Sequence, residues 1–255
     1  MRKSLALLLV VAIGLPALAL YRAGFSPDLI GKKISSITRL KDTGEAVGKG
    51  ESQIGRTVSG GKDFIVMKNE GSIRIKEHTY TSRVTKYYTY ENGTITIYSI
   101  EGVTDKDGQP YQNYRNSFDW PNRLLSVSFN DLEKKETKKK TLALTDRMIS
   151  VQDLEIYLST LPARGLKEGS VKAFVPDGTS FGLLLKVAGG REMIKVNGRE
   201  VACIRVELKP DLGLLSAVIP NVNYWLRATP PYTLVRYVGL LSGPGSPNVI
   251  QEVLD

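Results

Sequence analysis

From Phe64 onward the chain reads as short runs rich in β-branched and aromatic residues, among them FIVMK, SIRIK, TYTSRVTKYYTY and TITIYSI. Such residues suit a pleated, half-buried surface, so each run predicts a strand. In Thr94-Ile95-Thr96-Ile97 polar and apolar positions alternate at period two. One face of the sheet therefore packs inward while the threonine face meets water or a cavity. Turn signals at Asn69-Glu70-Gly71, Glu91-Asn92-Gly93 and Asp105-Lys106-Asp107-Gly108 separate the runs and predict consecutive antiparallel hairpins. An aromatic patch, Phe118-Asp119-Trp120, the strand RLLSVSF and the charged stretch NDLEKKETKKKT follow.

The period then changes. Ser150-Val151-Gln152-Asp153 places a capping hydroxyl three residues before an acid, and Val151, Leu154, Leu158 and Leu161 follow at helical spacing. With Pro162 and then Gly165 as stop signals, the pattern predicts one amphipathic helix near 150–161. It packs on the sheet or plugs its concave side. Strands resume with SVKAFVP, SFGLLLKVA, REMIKV, REVACIRVEL, NYWLRAT, YTLVRYVGLL and NVIQEVL. Among their connections, Asn197-Gly198 is a strong two-residue hairpin signal, because both positions tolerate positive φ. The expected fold is mainly β, a large curved antiparallel sheet (half-barrel or barrel) of about a dozen strands around one helix. Residues 20–63, with glycines at 24, 31, 44, 48, 50, 55, 60 and 61, read as an irregular lead-in with first strands before the β domain of residues 64–255.

The first residues carry an address. Arg2 and Lys3 precede an apolar stretch over residues 5–14, and the small-residue site Ala17-Leu18-Ala19 follows the breaker Pro16. Residues 1–19 thus read as a Sec-type signal peptide cleaved after Ala19. The apolar stretch at residues 5–20 contains Gly14 and Pro16 and falls short of the about 20 residues of a spanning helix. No cysteine lies near the cleavage site to take a lipid. The expected location is periplasmic or secreted, with the membrane met transiently or, in the alternative, through an uncleaved leader.

Charge refines the partner. The chain carries +9, and losing Arg2 and Lys3 leaves 33 basic against 26 acidic residues, or +7. That balance favours anionic envelope surfaces or polymers, whereas nucleic acid is not a partner an exported protein meets. Lys134, Lys135, Lys138, Lys139 and Lys140 are the candidate anionic contact, beside their reading as a solvated hairpin tip or an edge strand guarded by lysines.

Catalytic signatures are missing from the sequence. Cys203, the one cysteine, sits in strand-like REVACIRVEL as a small buried hydrophobe and cannot form an internal disulfide, and the one histidine, His78, lies in a polar stretch. No clustered His and Cys suggest a metal, and no GxSxG-like elbow presents a nucleophile. Gly48-Lys49-Gly50 lacks the ending of a phosphate-binding loop. The acids Glu101, Asp105, Asp107 and Asp119 read as turn formers. No catalytic, metal-binding or cofactor-binding residue is assigned, and no cofactor is expected. Trp120, Tyr224 and Trp225 flank turns and are the candidate ligand-lining residues, with core packing as the alternative.

Several short motifs between residues 105 and 254 belong together. They are a DxDGxP turn from Asp105 to Pro110, an Asp before a helix opening from Asp146 to Ser150, the Glu168-Gly169 step and a VNGxxV hairpin from Val196 to Val201. A closing strand pair, in which Trp225 is followed by a proline and YTLVRY, completes the set. In that order they resemble an uncharacterised bacterial family of exported β-proteins, a domain of unknown function. The resemblance implies a strongly curved antiparallel sheet, similar in style to periplasmic lipoprotein carriers and related lipid-binding half-barrels, and transfers no catalytic residue. Two functional expectations follow. One is a non-enzymatic envelope protein binding a lipid or other amphiphile in the concave face, with the helix as lid. The other is an exported β-rich binding protein or hydrolase acting on an anionic envelope polymer; a scaffold acting through partner proteins stands beside the first.

Overall fold

The structure, a computed structural model, describes residues 23–24, 27–91, 94–145, 147–163, 165–211, 221–241 and 246–254. The predicted leader and the Asn92-Gly93 turn lie outside these residues. Seventeen strands and one α-helix are found among those described.

A meander opens the sheet. It comprises β2 (Lys33–Leu40), β3 (Ala46–Ser59), β4 (Lys62–Ile75), β5 (His78–Glu91), β6 (Thr94–Lys106), β7 (Gln109–Asp119), β8 (Leu124–Asp131) and β9 (Glu136–Ala143), each antiparallel to the next. The short β1 (Ala23–Gly24) pairs with the start of β6. After β10 (Met148–Ser150) the chain crosses through α1 (Leu154–Ala163) to β11 (Glu168–Phe174), which lies parallel to β10. A parallel neighbour requires such a crossover.

Antiparallel pairing then resumes through β12 (Ser180–Val187), β13 (Glu192–Val196), β14 (Arg199–Asp211), β15 (Val222–Arg227), β16 (Leu234–Leu240) and β17 (Asn248–Leu254). The long β14 serves two partners on one edge, β13 along its first half and β12 along its second. β17 returns to pair with β2, from Val249 opposite Leu40 to Leu254 opposite Ser35, and so joins the two halves. Among the described strands β9 pairs with β8 alone, and the curved sheet ends there without closing into a barrel.

The core lies on the concave side. Ile65, Tyr88, Ile100 and Phe129 from the meander, and Val171, Phe174, Leu185 and Val206 from the second half, belong to one apolar cluster with Leu154, Ile156, Leu158 and Leu161 of α1. The polar helix residues Glu155, Ser159 and Thr160 are buried as well. The helix therefore plugs the sheet. Ser150 Oγ accepts the Gln152 N–H at 3.3 Å and caps the 3-10 turn Val151–Asp153 that leads into α1. The helix then runs through Pro162, past the end the sequence predicts at 161, and Gly165 turns the chain at φ +66°. The N–H groups of Gly165 and Leu166 return to the carbonyls of Pro162 and Leu161, each at 3.0 Å.

Two sequence expectations are corrected. The turn predicted at Asn69-Glu70-Gly71 does not form; β4 runs through it, with Asn69 paired between Ser52 and Val84. A hydrogen bond from the buried Ser52 hydroxyl to the Asn69 amide oxygen satisfies the polar side chain inside the ladder. The reversal falls later, where Lys76 adopts φ +55°. Nor is the segment before residue 63 irregular, since β3 is a 14-residue strand. Its glycines do not break the ladder, and Gly48 permits close approach: a Cβ there would sit 2.9 Å from the Ser72 carbonyl oxygen. The Asn197-Gly198 turn forms as expected, with φ +49° and +79°.

Candidate functional site

A charge sits in the middle of the apolar sheet face. Lys86 occupies the inward phase of β5, with Met67 opposite on β4 and Ile100 on β6, and is 2% exposed. An isolated ammonium there costs several kcal/mol, so it needs a partner of opposite charge. The approach to α1 supplies one. Lys86 Nζ donates to the Gln152 carbonyl oxygen and lies 3.1 Å from Asp153 Oδ1. Tyr88 donates its hydroxyl to the same Oδ1 at 2.8 Å, and Gln152 Nε2 donates to the Tyr114 hydroxyl. Asp153 Oδ2 is buried without a hydrogen-bond partner among the described residues. The acid that sequence spacing placed in a capping box is turned into the core instead.

Glu155, two residues on, deepens the cluster. Burial pushes its carboxyl up to about 8, with the Asp153 charge adding to the rise and Lys86 opposing it. Burial also raises the phenols of Tyr224 and Tyr237, whose rings meet edge to face with centroids 5.0 Å apart. Folded protein thus holds a proton on Glu155 up to about pH 8, while the unfolded chain releases it near its ordinary 4.5. Between those values the folded state binds more protons than the unfolded one. Stability is fully present below about 4.5 and declines as pH rises to about 8, by at most ~1.4 kcal/mol per pH unit. Glu155→Gln is expected to flatten that decline, read as urea midpoints at pH 5, 6.5 and 8; an unchanged slope would assign it to other groups.

The buried network is sealed from solvent and ties the approach to α1 to β5. Space occurs at the rim, where a cavity of about 710 Å³ is lined by parts of β11, β12 and β14 together with Arg147, Tyr157, Leu166 and Asn221. Register sets two rows across the three strands, Ser170–Leu184–Lys209 and Glu168–Lys186–Glu207. Leu166 and Leu184 are 42% and 46% exposed there, although both are large apolar side chains.

The three aromatic residues singled out by sequence do not line one surface. Trp120 packs against the main core, stacks on Phe118 with centroids 6.2 Å apart and donates its indole N–H to the Ile97 carbonyl oxygen at 2.7 Å. Tyr224 belongs to the same core. Trp225 joins a second cluster with Ile194, Val196, Cys203 and Val235, its indole N–H donating to Glu192 at 2.8 Å. Consecutive strand residues point to opposite faces, which separates Tyr224 from Trp225.

The lysine run divides in the same way. Lys134 pairs with Asp131 at 2.8 Å within the turn, and Lys135 takes φ +55° there. Lys138 shares the inward phase with Phe129 and binds Asp177 at 2.8 Å. Lys140 lies beside Gly178. Lys139 alone takes the convex phase of β9, next to Ser128.

Other sequence candidates are absorbed by local structure. His78 Nδ1 lies 2.7 Å from Asp107 on the surface; Asp105 pairs with Arg83 at 2.8 Å, and Asp119 accepts from Asn122. Cys203 is buried, which pushes its thiol up to about 11. Among the described residues no cluster of three His, Cys, Asp or Glu could hold a metal ion, and no helix is long and apolar enough to cross a membrane. Sequence reasoning missed Lys86, whose signal was a cation in the inward phase between Val84 and Tyr88. The rim cavity had no such signal, because distant segments build it.

A family model described as Protein of unknown function (DUF3108) matches residues 52–239, overlapping the stretch whose turn motifs carried the resemblance. No curated protein matches the sequence. A solved structure similar to this chain is the hypothetical lipoprotein YmcC from Escherichia coli (K12), with 9% identity over 91% of this chain and 90% of that one. The TM-score between the two is 0.29.

Proposed function

This chain belongs to the DUF3108 family of proteins of unknown function, from which no activity is inherited, and we propose that it is a non-enzymatic envelope protein that binds an amphiphile in its rim cavity. The concave side, where the sequence placed the ligand, is taken by α1. The observation that carries the reading is the pairing of exposed Leu166 and Leu184 with Arg147, Lys186 and Lys209 around about 710 Å³. Large exposed apolar side chains beside a concavity of a few hundred Å³ and a few polar groups are what a small-molecule site requires. An acyl chain lies over the leucines and Tyr157 while an anionic head meets Arg147 and Lys209, since Lys186 stands between Glu168 and Glu207 in its row. The leader-like start of the sequence supports an envelope location.

The test uses the purified full chain and dodecyl phosphate below its micelle concentration, followed by calorimetry, with dodecyltrimethylammonium as the cationic control. Saturable binding of the phosphate is expected. Leu184→Ser should weaken it about tenfold or more, because an apolar leucyl contact is worth ~1.5–3 kcal/mol. Failure to bind, or equal binding by the variant, overturns the proposal.

A further inference from the structure

The convex face carries a second concavity, independent of the rim. A groove of about 360 Å³ crosses β7, β8 and β9. Register again builds two rows on it, Arg115–Ser128–Lys139 and Ser117–Ser126–Thr141. Adjacent strands lie ~4.8 Å apart, so the backbones under the two cations are separated by about 10 Å, with a hydroxyl between them. The second row runs alongside, about 7 Å further along the strands. Arg115 has one acidic neighbour, Glu101 at 3.3 Å, and that pair is exposed. No side chain lining the groove is an acid.

We infer that this groove binds a linear acidic polysaccharide. Serine and threonine hydroxyls both donate and accept, which matches the hydroxyl groups of a sugar chain, and the two cations match acid groups carried along it. An antiaggregation lysine on an edge strand needs charge alone. The groove instead sets Lys139 in register with a second cation two strands away and with four hydroxyl side chains. Of the neighbouring lysines, Lys134 and Lys138 are paired with Asp131 and Asp177, and Lys140, in the opposite phase of β9, borders the groove beside Lys139.

The experiment titrates the full chain with polygalacturonate, using dextran of similar length as the neutral control. Polygalacturonate should bind and dextran should not, and binding should weaken with added salt. Arg115→Gln with Lys139→Gln should lower affinity about five- to tenfold, while Lys68→Gln, which removes an exposed sheet cation elsewhere, leaves it unchanged. Ser126→Ala with Ser128→Ala should weaken binding without altering its salt dependence. Equal losses from Lys68→Gln and the groove variant would reduce the contact to non-specific charge and overturn the site, as would unchanged binding by the groove variant. Leu184→Ser should not affect this titration, which separates the groove from the rim cavity.

Discussion

Replacing Lys86 with methionine is expected to destabilise the protein by about 3–5 kcal/mol, because it leaves the Asp153 carboxylate buried without a counter-ion. Methionine fits the apolar surroundings of Met67 and Ile100, so packing is nearly preserved and the loss is electrostatic. The partner variant distinguishes this from a packing defect. Adding Asp153→Asn removes the orphaned charge while keeping an acceptor for the Tyr88 hydroxyl, which donates to Asp153 Oδ1 at 2.8 Å. The double variant should therefore be more stable than Lys86→Met alone, a coupling that a urea-denaturation cycle measures directly. If the double variant lost the sum of two independent effects, the ion pair would not be what holds α1 in register with β5.

The second large effect concerns the plug. Leu158 is fully buried at the middle of α1 and belongs to the cluster that both halves of the sheet share. Leu158→Ala should cost about 2–5 kcal/mol, the removed methyl groups adding a cavity term to the lost transfer energy. Its value relative to Leu184→Ser is diagnostic. Leu184 is 46% exposed, so truncating it should change stability by no more than about 0.5 kcal/mol while altering amphiphile binding. Thermal or urea midpoints of both variants, measured alongside the dodecyl phosphate titration, separate a side chain that holds the fold from one that serves the rim. Similar destabilisation by the two would mean that Leu184 is a core residue.

How far the sequence carried the fold depends on the element. Asn197-Gly198 and the Ser150 and Gly165 helix ends were legible because their backbone demands are local. Asn69-Glu70-Gly71 has the same turn grammar and misled, since its asparagine is satisfied by Ser52 from the preceding strand. No local rule contains that partner. The candidate sites divide along the same line. Lys139 was named from sequence within a charge run, but strand alternation and the register with Ser128 decided that it takes the convex phase in one row with Arg115. Arg115, distant in sequence, was not named at all.

The sequence by itself determined a β-rich chain interrupted by one capped helix, because residue shape and period act over a few positions. It also determined the basic charge, and its turn motifs sufficed to point to a family of unknown function. Tertiary structure decided the return of β17 to β2, which joins the halves of the sheet, and the burial of α1 against both halves of it. It likewise decided that Lys86 and Asp153, 67 positions apart in the chain, lie 3.1 Å from each other. The reason is physical: burial and electrostatics depend on separations in space, and a curved sheet brings together residues whose order along the chain records no such proximity.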